Sequence, residues 1–265
     1  MTDAPIKPLL ILSIYAPSEH NRLWYDLQRR FIKKTTTVDY DFKIFLNGIA
    51  EDGFNSGDVG WTSTTNNGHP AAMALLLEYA RQNPYRDYLF LDSDCFPVRK
   101  DWNTVLTAQM ERMNKTIAAP VRVENLDLFP HPCAVFIDGR EIHNKTIDFR
   151  DDGAIANMLG DEVTDVGTAM FGMDTILPLL RTNAVNVHPV AAAIYHHLFY
   201  HHGAGSRVFN FRITNRYRYH DHWYKETARD SHAATLLRAL KKNPVGFINR
   251  LLGKKEKLLR NFLNN

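Results

Sequence analysis

Tyr88-Leu89-Phe90-Leu91-Asp92-Ser93-Asp94 is the segment whose residue types and spacing speak most directly of chemistry. An apolar run of strand character ends in two carboxylates, two positions apart. In open α/β sheets, ligands bind where strands end at their carboxyl side. Two acids placed there repel each other unless a cation lies between them. Hard divalent cations such as Mn²⁺ or Mg²⁺ take oxygen ligands and often share them with substrate phosphates. Asp92 and Asp94 are therefore candidate ligands of a divalent cation. A second Asp-x-Asp, Asp39-Tyr40-Asp41, precedes a strand and reads as a polar turn.

A second cluster runs from Tyr195 to Arg207 and contains His196, His197, His201 and His202. Imidazole ligates Mn²⁺ and similar ions, and one of His201 and His202 is expected on the cation. Gly203-Ala204-Gly205 lets backbone amides approach a bound oxyanion. Ser206 adds a hydroxyl, and Arg207 offers a bidentate contact to phosphate. The remaining histidines read as packing among the neighbouring aromatics.

These residues need a scaffold, and the hydrophobic pattern supplies one. Leu9 to Tyr15 reads as a first strand buried on both faces. Ser18 is placed to cap a following helix, in which Leu23, Trp24, Leu27, Phe31 and Ile32 recur at helical spacing. Phe42 to Leu46 is a second strand, stopped by Asn47-Gly48. Glu51 to Gly68 reads as a polar loop, and Pro70 opens a helix running to about Arg81. Tyr88 to Leu91 is the third strand. Trp102 to Met113 is helical, Thr116 to Ala119 and Cys133 to Ile137 are strands, and Gly167 to Arg181 reads as a helix. Val185 to Val187 is a short apolar segment. Alternating strand and helix predict an α/β fold with a mostly parallel sheet flanked by helices on both faces.

The chain has 265 residues, 45% hydrophobic and 23% charged, with two cysteines. That composition excludes general disorder and a disulfide scaffold, and two cysteines suit a reducing compartment. Leu9 to Tyr15 is too short to span a bilayer and lacks the flanks of a signal peptide. Charge is unevenly placed. Ala233 to Asn265 carries eight Lys or Arg against one Glu, so this segment holds +7 and the rest of the chain −4 within a net +3. The expected organisation is a domain over 1–230 and a basic amphipathic helical tail over 231–265.

Taken together, Asp92-Ser93-Asp94 and His201-His202-Gly203-Ala204-Gly205-Ser206-Arg207 resemble the motifs of a nucleotide-sugar-dependent glycosyltransferase of the GT-A fold. The resemblance covers Leu9 to Arg207 in layout and is specific at those two motifs. It implies that Asp94 binds the metal directly, that Asp92 reaches the metal or the donor ribose, and that Arg207 steadies the diphosphate. Asn66-Asn67-Gly68-His69-Pro70 resembles the donor-side loop of bacterial members, which puts His69 near the donor. Many members carry an acid after the second strand that reads the base; here Asn47 stands there. No Glu-Asp pair marks an inverting base. Asp165 holds the nearest position, with helix capping as its alternative role, and Asp152 of Asp151-Asp152 is the rival.

The implied donor is a nucleotide sugar of the UDP, GDP or dTDP type, and the implied acceptor a glycan or lipid-linked glycan. Arg122, Glu124, Asn125 and Asp127 lie where such folds shape the sugar pocket. The basic tail resembles an anchor to an anionic membrane surface, which would place the enzyme in the cytoplasm at the inner face of the cell membrane. Nucleic acid is not an expected partner, because no recognised module accompanies the charge. Two other classes compete. A haloacid-dehalogenase-like phosphatase would use Asp92 as nucleophile, Asp94 as acid/base and Asp151-Asp152 as a later metal pair. A non-enzymatic carbohydrate-binding protein would need none of these acids.

Overall fold

The computed structural model describes residues 6–122, 129–150, 155–156, 162–182, 193–202, 213–219 and 222–227. The elements are β1 (Lys7–Tyr15), α1 (Asn21–Thr35), β2 (Tyr40–Asn47), β3 (Val59–Ser63), α2 (His69–Gln82), β4 (Tyr85–Asp92), β5 (Cys95–Pro97), α3 (Trp102–Arg112), β6 (Ile117–Pro120), β7 (Ala134–Asp138), β8 (Ile155–Ala156), β9 (Glu162–Val163), β10 (Ile176–Leu179), β11 (Ala193–Tyr195), β12 (Phe199–His201), β13 (Ile213–Tyr219) and β14 (His222–Thr227). β8 pairs with β9, and β13 with β14, as small antiparallel hairpins. Among the described residues no helix is long and apolar enough to cross a membrane.

The central sheet runs β10-β6-β7-β4-β1-β2-β3. β7 alone runs against its neighbours, β4 and β6; the other pairs are parallel. This is the α/β, mostly parallel sheet that the alternation of elements predicts. Side chains of a strand point to opposite faces in turn, so an unbroken apolar run such as β1 must be covered twice. Leu9 and Ile11 pack with Trp24 and Phe31 of α1 and with Trp102 and Leu106 of α3. Leu10, Leu12 and Ile14 pack with Met73, Leu76 and Leu77 of α2.

Four details depart from the sequence reading. Glu51 to Gly68 is not all loop: β3 adds to the sheet edge beside β2, where Trp61 stacks on Phe45 at 6.0 Å. Gly167 to Arg181 is not a helix. A single 3₁₀ turn, Thr168–Met170, is followed by β10, which pairs in parallel with β6. Gly167 and Gly172 adopt φ of 99° and 78°, which an α-helix excludes, and Ile176-Leu177-Pro178-Leu179 alternates in burial as a strand does. Ser18 does not cap α1. His20 occupies that position, and the Ser18 hydroxyl accepts the His20 amide at 3.2 Å. Asp41, in the other Asp-x-Asp, lies in β2 and pairs with Lys7 at 2.6 Å. Val185 to Val187 and the tail over 231–265 fall outside the described residues.

Gly167 fastens two crossing segments. A Cβ on it would lie 2.0 Å from the Pro130 carbonyl oxygen, inside any contact distance, whereas one on Gly172 would meet nothing within 4 Å. Both positions carry the left-handed strain of positive φ, but only Gly167 adds a backbone clash. Gly167→Ala is therefore expected to cost well over 1 kcal/mol and clearly more than Gly172→Ala, read as the difference in urea unfolding midpoints.

Candidate active site at the carboxyl edge of the sheet

β4 ends at Asp92, and the chain reverses through Ser93-Asp94 into β5. The turn is held from both sides. The Asp92 amide donates to the Cys133 carbonyl at 3.1 Å, immediately before β7. From α1, the fully buried Gln28 donates through Nε2 to the carbonyls of Asp92 (3.0 Å) and Cys95 (2.8 Å), and its Oε1 accepts the Tyr15 hydroxyl at 2.7 Å. One side chain thus bridges the two ends of the acidic turn. Gln28 escaped the sequence reading, yet there was a signal: it lies four residues after Trp24, on the buried stripe of an amphipathic helix.

A second sheet, β11-β12-β5, delivers the imidazole. His196 and His197, with φ of 53° and 59°, make the turn between β11 and β12, and His196 Nε2 bonds Gln109 of α3 at 2.7 Å. β12 lies antiparallel to β5 with His201 opposite Cys95. His201 Nε2 then lies 3.5 Å from Asp94 Oδ1 and 3.8 Å from Asp92 Oδ2. One ligand atom from each of Asp92, Asp94 and His201 falls within 4.8 Å of the others, and Asp94 and His201 are buried. These separations are long for hydrogen bonds. They suit ligands sharing one cation, since atoms each ~2.1 Å from an ion lie roughly 3 to 4 Å apart. The residues therefore fit a divalent ion, with two hard oxygens and one nitrogen.

His202 lies outside this group. The register of β12 turns it the other way, its ring on Trp24 at 4.6 Å and its Nδ1 bonded to the Tyr200 hydroxyl at 2.8 Å. The choice between His201 and His202 follows from strand pairing with β5, which no local pattern encodes. His131 lies beside this group as well. Its ring lies 5.8 Å from that of His201, and its Nδ1 accepts the Cys133 amide at 3.3 Å.

His69, the first residue of α2, bonds Asp92 Oδ1 through Nε2 at 2.9 Å. Burial disfavours charge on this ring, but Asp92 in contact, with Asp165 and Asp94 beyond it, outweighs burial and raises its pKa. Burial likewise opposes charge on His201, and Cys133 and Asp94 raise its pKa well above the usual value. The Cys95 thiol, fully buried, is pushed up.

Asn47 ends β2 as a buried residue, and its amide bonds within the protein. Nδ2 donates to Asn66 Oδ1 at 2.9 Å, and Oδ1 accepts from the Asn67 amide at 3.0 Å and from Asn67 Nδ2 at 3.1 Å. Asp165 accepts from Arg122 on Oδ2 and from the Val166 amide on Oδ1, both at 2.8 Å. Both carboxylate oxygens are thus occupied. Asp152, Gly205, Ser206 and Arg207 lie outside the described residues, as do Glu124, Asn125 and Asp127.

No protein-family model matches the sequence, and no curated protein matches it. Solved structures that resemble the fold include glycosyltransferases. TarS 1-349 of S. aureus is 12% identical, with a TM-score of 0.40, over 55% of this chain and 51% of that one. The glycosyltransferase GlyE of Streptococcus pneumoniae TIGR4 is 13% identical, with a TM-score of 0.43, over 66% and 45%. The mannosyltransferase PcManGT of Pyrobaculum calidifontis, solved with GDP-Man and Mn²⁺, is 12% identical, with a TM-score of 0.40, over 66% and 58%. This chain thus spans about half the length of those structures.

The clamp on the acidic turn gives a direct expectation. Gln28→Leu keeps the volume but leaves the Asp92 and Cys95 carbonyls and the Tyr15 hydroxyl without their partner. At about 1–3 kcal/mol for each buried group left unpaired, the substitution should lower unfolding stability by at least about 2 kcal/mol in urea titration. Gln28→Glu, which keeps one oxygen acceptor and loses the double donor, should also destabilise.

Proposed function

We propose that this chain is a metal-dependent glycosyltransferase that moves a sugar from a nucleotide-sugar donor to a glycan or lipid-linked glycan acceptor. The observation that carries the reading is the convergence of Asp92, Asp94 and His201 at the carboxyl edge of a mostly parallel sheet. That edge is where open α/β folds bind their ligands. The phosphatase and carbohydrate-binding readings give His201 no reason to lie on the two acids.

In this reading Asp94 and His201 hold the cation from the buried side, and Asp92 closes the set from the rim. A divalent ion bound there supplies positive charge against the charge building on the departing nucleoside diphosphate. The chain contributes a fixed frame. Gln28 and the Cys133 carbonyl hold the turn, so the carboxylates need not reorganise as charge moves. Arg207 is proposed to steady the diphosphate and Ser206 and Gly205 to line it. For an inverting reaction Asp165 is the proposed base; it would exchange its contact with Arg122 for the acceptor hydroxyl. Asp152 is the alternative. A retaining reaction needs neither. The basic tail is proposed to hold the enzyme on an anionic membrane surface on the cytoplasmic side, where a lipid-linked acceptor would lie.

Thermal unfolding with UDP, GDP, dTDP or CMP, each with and without Mn²⁺ or Mg²⁺, tests the reading. Binding to the native state adds RT ln(1 + [L]/Kd), about 2.7 kcal/mol at a hundredfold excess over Kd. One nucleoside diphosphate is expected to raise the midpoint only with metal, and Asp94→Asn to abolish that rise. If no nucleotide shifts the folded protein under any condition, the proposal fails.

A further inference from the structure

Asn47 and His69 face different neighbours, yet one continuous chain of contacts joins them. Asn47 is 1% exposed, so its amide is fixed by what surrounds it. It grips the exposed residues Asn66 and Asn67 through three hydrogen bonds. Asn67 Nδ2 also reaches the Ser63 hydroxyl at 3.2 Å, and Asn66 Oδ1 accepts the Gly68 amide at 3.0 Å. The approach is close. A Cβ on Gly48 would lie 2.6 Å from the Asn66 nitrogen, so only glycine fits after Asn47. Gly68 then turns at φ 80°, a conformation open to glycine, and the next residue is His69, which bonds Asp92 Oδ1.

We infer that Asn47, through the Asn66–Gly68 loop, is a positioning residue for His69, and that His69 orients Asp92 toward the cation. This rests on the metal site of the proposed function and deepens it. A carboxylate on a short side chain can rotate. An N–H donor on Oδ1 fixes its plane and leaves Oδ2, the oxygen nearer His201, for the ion. Hydrogen-bonded partners of metal ligands act in this way, and removing one typically costs 10–100-fold in metal affinity. The inference also explains why an amide occupies position 47. A carboxylate there lacks the Nδ2 donor and would oppose Asn66 Oδ1.

The probe is Mn²⁺ alone, followed by water-proton relaxation enhancement on the whole protein, with thermal unfolding of each variant as a control of folding. His69→Ala is expected to weaken Mn²⁺ about tenfold, and His69→Gln, which restores a donor, to recover most of that loss. Asn66→Ala is the loop variant of choice, because Asn66 is exposed and Asn47 is buried in the core. It should weaken Mn²⁺ several-fold in the wild-type background and have no effect beside His69→Ala. Wild-type affinity in His69→Ala, or an equal effect of Asn66→Ala in both backgrounds, overturns the inference while leaving the metal site standing. Mn²⁺ binding that is absent from wild type, or unchanged by Asp94→Asn, overturns the metal site itself and this inference with it.

Discussion

Two carboxylates of like charge, two residues apart in a largely water-excluded turn, set the problem that the surrounding structure answers. Left in water, Asp92 and Asp94 would swing apart. Here the backbone between them is pinned by the Cys133 carbonyl on one side and by Gln28 on the other. Each of these partners is itself fixed. Gln28 sits on the buried face of α1 and is anchored by the Tyr15 hydroxyl, and Cys133 immediately precedes β7, which is paired with β4. The sheet, α1 and the antiparallel β7 therefore meet at the acidic turn. His69 and His201 lie against the two acids, and a cation would offset their charge further.

The antiparallel direction of β7 matters to this arrangement. A parallel strand would enter the sheet from the opposite edge. Running antiparallel, β7 starts at the carboxyl edge, so the residues just before it, Pro130 to Cys133, lie beside the acidic turn. His131 and the Cys133 carbonyl reach the site for that reason. The same segment is tied down by its neighbours. The His131 amide donates to the Pro120 carbonyl at 2.7 Å, and Pro130 presses on Gly167, where no side chain fits. A single topological choice thus places one imidazole beside His201 and one carbonyl on the Asp92 amide.

What the sequence disclosed of this site divides by the range of the interactions. Asp92-Ser93-Asp94 was legible because an apolar strand and its terminal acids are adjacent in the chain. The alternating β1–α1–β2 layout was legible because periods of 2 and 3.6 are local. His201 could not be separated from His202, since the choice between them is made by the register of β12 on β5, a pairing about a hundred residues distant. In the segment of β10, Ile176, Leu177, Leu179 and Leu180 satisfy a helical spacing as readily as a strand. What decided the matter was the empty edge of β6. β3 was missed because an edge strand of half-exposed residues leaves little hydrophobic pattern. Asn47 showed the limit of reading a position by its neighbours in sequence: its partners, Asn66 and Asn67, lie some twenty residues further on.

These contacts also distinguish the three groups around the acids by how firmly each is held. His201 comes from a strand paired on both sides, with β11 and β5, so its place is set by backbone hydrogen bonds. His69 stands at the first turn of a helix, and its place is set by a loop whose hold is the buried amide of Asn47. Asp165 follows β9, a strand of two residues, and precedes a 3₁₀ turn, with its carboxylate on Arg122. A cation needs fixed ligands at the buried end of the site, whereas an acceptor must enter and its base must change partners during the reaction. In the proposed reading the strand and the helix terminus carry the groups that would meet the cation or orient its ligand, and the turn after β9 carries the residue that would exchange Arg122 for an acceptor hydroxyl.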